Sequence, residues 1–220
     1  MSSSRLRASL EKEAKEALAR LPFLFAKELV YDDRYFADMD PAHEQMYGRL
    51  ADVLYELFEP SSVVDVGCGT GRLLAGLAAH GVTVRGIEGS RHAIARSPVA
   101  VKIERSNLEN GVPRLGRFDL SLCIEVAEHL PRRSAGRLVR GLTRLSDLMI
   151  FTAAQPGQGG LLHRNEQPGT YWRALFEENG FRASDVLTTS VRERIADIAD
   201  PVWMHANLVV YEQGGGLQRP

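Results

Sequence analysis

Cysteine is scarce in this 220-residue chain, with Cys68 and Cys123 its only two and no CxxC spacing anywhere. Each lies in a segment that reads as ordered secondary structure, which argues against a paired disulfide framework and for a reducing compartment. Long apolar runs are also missing, since no stretch approaches the roughly 18 residues of a membrane span. The amino terminus, MSSSRLRASLEKEAKEALAR, lacks the apolar centre of a secretory signal, so a cytoplasmic location is expected. Nor is there an excess of one charge. The 27 basic and 28 acidic residues leave a formal net charge of -1, which gives the whole chain no pull toward nucleic acid or an anionic membrane. Internal repeats and low-complexity tracts are absent. What is present, 44% hydrophobic and 25% charged residues, suits one sizeable core and one domain with appendages.

The organisation changes along the chain. Residues 4–20 are rich in Ala, Leu, Glu, Lys and Arg and read as a helix that Pro22 ends. An aromatic, aperiodic stretch follows, bearing Tyr31, Tyr35 and Phe36. A second helix is expected with Asp40 as N-cap and Pro41 in its first turn, showing an apolar face of Met46, Leu50, Val53, Leu54 and Leu57. After Pro60, β-branched runs at 63–66, 82–88, 99–103, 118–125 and 148–154 alternate with helical segments near 70–80, 90–97 and 131–146. Such interleaving predicts a parallel sheet with helices on both faces. Toward the end, 170–181 reads as a helix stopped by Asn179 and Gly180, SDVLTTSV as a short strand, RERIADIAD as one or two helical turns and HANLVVYE as a last strand, together closing the sheet edge with a hairpin. The divisions are 1–39 as a helical lid segment, 40–213 as the main domain and 214–220 as a flexible tail.

The stretch VVDVGCGTGRLLAGL, beginning at Val63, sets Gly67, Gly69 and Gly71 between a strand and a helix, with Asp65 inside the strand. Glu88 ends the next strand 21 residues beyond Gly67, close to the spacing of about 20 at which a strand-end carboxylate reaches both hydroxyls of a ribose. An adenosine moiety is therefore expected. A pyrophosphate at this turn would be repelled by Asp65, whereas a cationic amino-acid tail would be attracted, which favours S-adenosylmethionine over a dinucleotide.

These residues resemble the class I S-adenosylmethionine-dependent methyltransferases, in a Rossmann-like, bacterial small-molecule form. VVDVGCGTGRL is similar to the family's first motif, VRGIEGS to its second and FDLSLCIEVAEHL to its fourth-strand segment, over roughly residues 40–212. The resemblance implies a seven-stranded sheet with its last strand antiparallel. It places Asp65 near the methionine amino group, Gly67, Gly69 and Gly71 against the cofactor, Glu88 on the ribose and Gly89 beside the adenine. Asn107 takes the position of the acid that many members aim at the adenine amino group, Leu108 flanks the ring, and Glu125 and Val126 line the methionine side.

Transfer from a sulfonium is an in-line displacement, for which orientation, exclusion of water and sometimes a base suffice. In an open α/β sheet the acceptor approaches beyond the carboxyl ends of the strands. There the connection at 153–172 is long and rich in Gly and Pro, bearing His163, Asn165, Glu166 and Gln167. His163 is the first candidate for a base or orienting residue and His129 the second, each set against a purely structural histidine. Tyr31, Tyr35 and Trp172 are candidate acceptor contacts, although Trp172 also suits anchoring its own helix.

Glu125, Glu128, His129 and His163 form E-x-x-E-H plus a distant His, a pattern similar to the metal site of small-RNA 3′-end 2′-O-methyltransferases. It also resembles the fourth-strand motif of metal-free members, and no metal is expected. Arg133, Arg137, Arg140 and Arg144 make one helical stripe that reads as a solvated face. The expectation is thus methyl transfer to oxygen or nitrogen of a small-molecule acceptor, with no nucleic-acid or membrane partner and no oligomeric state specified. Its rivals are a metal-dependent RNA 2′-O-methyltransferase, a non-catalytic S-adenosylmethionine-binding partner protein and, last, a dehydrogenase.

Overall fold

A computed structural model describes residues 31–98, 102–196 and 202–214. The helix expected over 4–20, strand residues 99–101 and all but the first residue of the tail lie outside them.

Seven strands form one sheet in the order β3-β2-β1-β4-β5-β7-β6. They are β1 (Ser62–Val66), β2 (Thr83–Glu88), β3 (Lys102–Arg105), β4 (Leu120–Cys123), β5 (Leu148–Phe151), β6 (Phe181–Ala183) and β7 (Val209–Gln213). The first five are parallel, and β7 runs antiparallel to both β5 and β6. The helices are α1 (Asp33–Phe58), α2 (Arg72–Ala79), α3 (Arg91–Ala95), α4 (Ala135–Leu142), α5 (Gly169–Glu177), α6 (Asp185–Arg194) and α7 (Val202–Asn207). This is the expected architecture, with the chain order reversing between β1 and β4, where the carboxyl ends of the strands part to leave a crevice.

Two apolar layers sandwich the sheet. On one face Leu50 and Leu54 of α1, Leu74 and Leu77 of α2 and Val191 of α6 pack with Leu120, Leu122 and Ile150. On the other, Leu138 and Leu142 of α4 and Trp172 and Phe176 of α5 cover Met149, Phe151 and Tyr211. A fully buried Leu or Phe of this kind contributes roughly 1.5–3 kcal/mol. Where α1 crosses α2, Gly76 lets the helices meet, because a Cβ there would lie 2.6 Å from the Ala51 Cβ.

Three expectations are corrected. The second helix does not start at Asp40 and Pro41: α1 begins at Asp33, because Asp32 has extended backbone and its carboxylate accepts the Tyr35 N–H at 2.9 Å. SDVLTTSV is helical, not a strand. Its β-branched residues suggest a strand, yet in α6 Val191 is buried in the core and the Thr188 Oγ1 accepts the Val210 N–H at 3.0 Å, while Val186 is left 76% exposed. Tertiary contacts here override local propensity. The closing pair β6 and β7 is antiparallel but no tight hairpin, since α6 and α7 lie between its strands. Arg133, Arg137, Arg140 and Arg144 are exposed, as expected of a solvated stripe.

Candidate active site

A cavity of about 460 Å³ opens at the carboxyl ends of β1, β2 and β4, within the usual size of small-molecule sites. Asp65, Gly67, Gly69, Glu88, Gly89, Asn107, Leu108, Glu125 and Val126 border it, and so do Tyr31, Tyr35, His129 and His163. Thirteen of the fifteen expected site residues, all but Gly71 and Trp172, thus border one space.

 

Two expected residues do not reach the cavity. Gly71 sits at the amino end of α2 as its cap, with φ of 79°. Trp172 belongs to the core, where its ring packs against Phe151 at 5.3 Å and Tyr171 at 5.1 Å. The cause is helical spacing: α5 turns Trp172 and Phe176, four residues apart, toward the sheet together.

The glycine turn is shaped by sterics. Gly67 has φ of 85°, and a Cβ there would fall 2.4 Å from a Val126 methyl, so only glycine fits and its backbone is left bare against the cavity. Glu88 is 3% exposed and accepts three backbone N–H groups, those of Gly89 and Ser90 at 2.7 Å and that of Gly69 at 3.0 Å. The carboxylate expected to grip a ribose therefore also ties β2 to the turn. Asn107 borders the cavity with its carbonyl oxygen already accepting the Glu109 N–H at 3.0 Å, so an adenine contact there would compete with a cap. Asp65 is buried, and burial together with the Glu88 charge pushes its carboxyl up to about 7.

The far wall is built by the long connection between β5 and α5. Glu166 folds it: its carboxylate accepts the N–H groups of Gly157 and Gly159, both at 2.8 Å, and meets the His163 Nδ1 at 2.9 Å. Burial raises the Glu166 carboxyl, but the His163 ring and the two N–H groups outweigh it and hold the group below its ordinary value. The Arg164 and Asn165 N–H groups both reach the Glu128 carbonyl, at 2.8 and 3.0 Å, joining this loop to the segment after β4. Tyr31 ties α1's approach to this loop by donating its hydroxyl to the Leu161 carbonyl at 3.0 Å, and both residues line the cavity.

Backbone strain gathers in the same place. Glu125 has φ of 53° and Leu162, just before His163, has φ of 61°, conformations that cost a side-chain-bearing residue on the order of 1–3 kcal/mol and concentrate at functional sites. Glu128 is fully buried, and no backbone or side-chain donor makes a well-formed hydrogen bond to either of its carboxylate oxygens. Burial and the adjoining Glu125 carboxyl push its proton affinity well up. Sequence reasoning missed Glu166 as the organiser of the loop, and missed the contribution of Met46 and Tyr47 from α1 to the cavity wall. A glutamate three residues after His163 was the available signal for the first.

Four carboxyl groups, of Asp65, Glu88, Glu125 and Glu128, border the cavity. Such a wall disfavours a pyrophosphate and suits a ligand with a cationic tail.

Comparison with known proteins identifies the family and the fold. A family model described as a methyltransferase domain matches residues 42–184. The 2-ketoarginine methyltransferase of Streptomyces arginensis is 31% identical over 171 residues, covering 63% of this chain and 49% of that protein. The ubiquinone biosynthesis O-methyltransferase of Escherichia coli O7:K1 is 30% identical over 112 residues, covering 46% of each. The chain thus spans about half the length of these curated relatives. Among solved structures, the magnesium protoporphyrin IX methyltransferase of Synechocystis PCC 6803 with bound SAH superposes with a TM-score of 0.55 at 21% identity, covering 67% of this chain and 77% of that one, a likeness of fold. With a methyltransferase domain matched over residues 42–184, this chain belongs to the class I S-adenosylmethionine-dependent methyltransferases.

Proposed function

We propose that the chain methylates an oxygen or nitrogen of a small-molecule acceptor held between the cofactor wall and the His163 loop. The acidic cavity at the carboxyl ends of the strands is the observation that carries this reading. Bound there, S-adenosylmethionine supplies an electrophilic methyl group. The chain's own residues do the remainder: Glu88 and Asp65 hold the two ends of the cofactor, Tyr31 and Leu161 close the opening against water, and His163, fixed through Nδ1 by Glu166, presents Nε2 to orient the acceptor or take its proton. A small molecule is favoured over RNA by the carboxyl groups of Asp65, Glu88, Glu125 and Glu128 around a cavity of about 460 Å³, which would repel a phosphate backbone.

The test is to supply a donor with an isotopically labelled methyl group, add extracts of the host and search by mass spectrometry for labelled products. Label in low-molecular-weight products supports the reading, and label confined to RNA overturns it. Titration calorimetry should show S-adenosylhomocysteine binding, weakened by about 1–3 kcal/mol in Glu88→Ala through loss of charge-assisted hydrogen bonds to the ribose. Unchanged affinity would remove Glu88 from that role.

Asp65 gives the binding a pH signature. Its folded value of about 7 stands above the ordinary 3.8, so between these limits the folded chain binds more protons than the unfolded one. This group's contribution to stability therefore falls as pH rises through that window. Pairing with the cationic amino group of the ligand requires the ionised carboxylate. Affinity for S-adenosylhomocysteine is accordingly expected to drop about tenfold per unit as pH falls below about 7. Calorimetry at pH 6 and 7.5 checks this, and Asp65→Asn should bind weakly with no such slope; a wild-type affinity flat with pH would refute the pairing.

A further inference from the structure

We propose that Glu128, His129 and His163 hold a divalent transition-metal cation, which in turn binds an acceptor through two adjacent oxygens, as in a catechol or vicinal diol. The cation part stands on these residues alone, while the acceptor part rests on the methyl-transfer reading of the cavity.

One ligand atom from each of the three residues lies within 4.8 Å of the others. Bonds of about 2.0–2.2 Å from metal to nitrogen or oxygen let a single cation bridge atoms so placed after side-chain rotation. Glu128 is the independent observation: a fully buried carboxyl that borders the cavity and receives no well-formed hydrogen bond. A buried carboxylate is costly unless a counter-charge faces it, and among the described residues the group beside it is a second carboxyl, that of Glu125, rather than a cation. A metal ion supplies the missing counter-charge for both.

The supporting groups have the arrangement of a metal-binding histidine. Glu166 engages the Nδ1 of His163 at 2.9 Å and so fixes the ring with Nε2 as the ligand nitrogen, the role a carboxylate plays behind many metal-bound imidazoles. The His129 and His163 rings meet edge to face with centroids 4.9 Å apart. The ligands come from two separate segments, yet the Arg164 and Asn165 N–H groups pin both to the Glu128 carbonyl. Two imidazoles and a carboxylate suit manganese, iron, cobalt or zinc better than magnesium or calcium, which prefer oxygen alone. Three protein ligands leave coordination positions open, and the cavity is where they face. Adjacent oxygens on the acceptor would fill two of them.

Full-length protein stripped with a chelator is titrated with manganese(II), followed by electron paramagnetic resonance and calorimetry, with zinc(II) as competitor. One saturable manganese site per chain is expected, displaced by zinc. Glu128→Gln and His163→Ala should each weaken it at least about tenfold, and Glu166→Gln by about 10- to 100-fold through the loosened imidazole. Absence of a saturable site, or wild-type affinity in both Glu128→Gln and His163→Ala, overturns the proposal. His163 lies on a surface loop, so its variant carries the test if Glu128→Gln does not fold. Catechol should alter the manganese spectrum whereas resorcinol, with its oxygens apart, should not; equal effects or none overturn the acceptor assignment. S-adenosylhomocysteine binding is measured on the same wild-type sample: its failure overturns the methyl-transfer reading and the acceptor part with it, and leaves the manganese stoichiometry to decide the site.

Discussion

Turnover of His163→Ala is expected to fall by about a hundred- to ten-thousandfold, the usual contribution of a positioned acid–base group, while its affinity for S-adenosylhomocysteine changes by less than about threefold. The split follows from geometry. His163 lines the cavity from the long loop, and its Nδ1 contact with Glu166 of the same loop at 2.9 Å orients the ring without involving Glu88 or the glycine turn. Whether its Nε2 holds an acceptor proton or a cation, truncation to alanine removes it. Single-turnover measurements on the acceptor found by labelling give the rate, and calorimetry gives the affinity. A rate within about twofold of wild type would return His163 to a structural role, and an equal loss in rate and affinity would mean that the loop collapses onto the cofactor side.

Gly67→Ala should impair both folding and cofactor binding. A side chain at φ of 85° costs about 1–2 kcal/mol, and the new methyl would meet Val126 at 2.4 Å, adding about 1–3 kcal/mol of overpacking. For a chain of this length each kcal/mol lowers the thermal midpoint by roughly 2–4 °C, so a fall of about 4–20 °C is expected, with S-adenosylhomocysteine binding weakened because the displaced backbone and Val126 both border the cavity. Val126→Ala in the same chain should recover the overpacking part and leave the backbone part. A Gly67→Ala protein with the wild-type midpoint and affinity would show that the turn relaxes freely.

The parallel half of the sheet was legible because β1, β2, β4 and β5 are β-branched or apolar runs punctuated by Gly and Pro, and because a buried parallel strand has few other ways to be written. The carboxyl-terminal third was less so. Val186, Thr188, Thr189 and Val191 carry strand propensity, but the Thr188 bond to Val210 and the burial of Val191 stabilise a helix instead. The start of α1 was misplaced for a related reason: Asp32 and Asp40 are equal candidates by residue type, and the contact of Asp32 with the Tyr35 N–H distinguishes them. At the site, Asp65, Gly67 and Glu88 were readable because their spacing is local to one strand-turn-helix-strand unit. Trp172 was read as an acceptor contact because an aromatic beside a long loop suits either wall or core, and only the packing of α5 on Phe151 assigns it to the core.

By itself, then, the sequence determined the glycine-turn wall of the cavity: a glycine-rich turn with an acid in the strand before it and another at the end of the strand after it is set by neighbours in the chain. The tertiary structure alone decided the loop wall. Tyr31, Glu128, His129, His163 and Glu166 come from distant segments, and their meeting depends on how the loop before α5 folds back on the segment after β4 through the Glu128 carbonyl. Side-chain chemistry can be read one residue at a time, but the distance between two such groups is a property of packing.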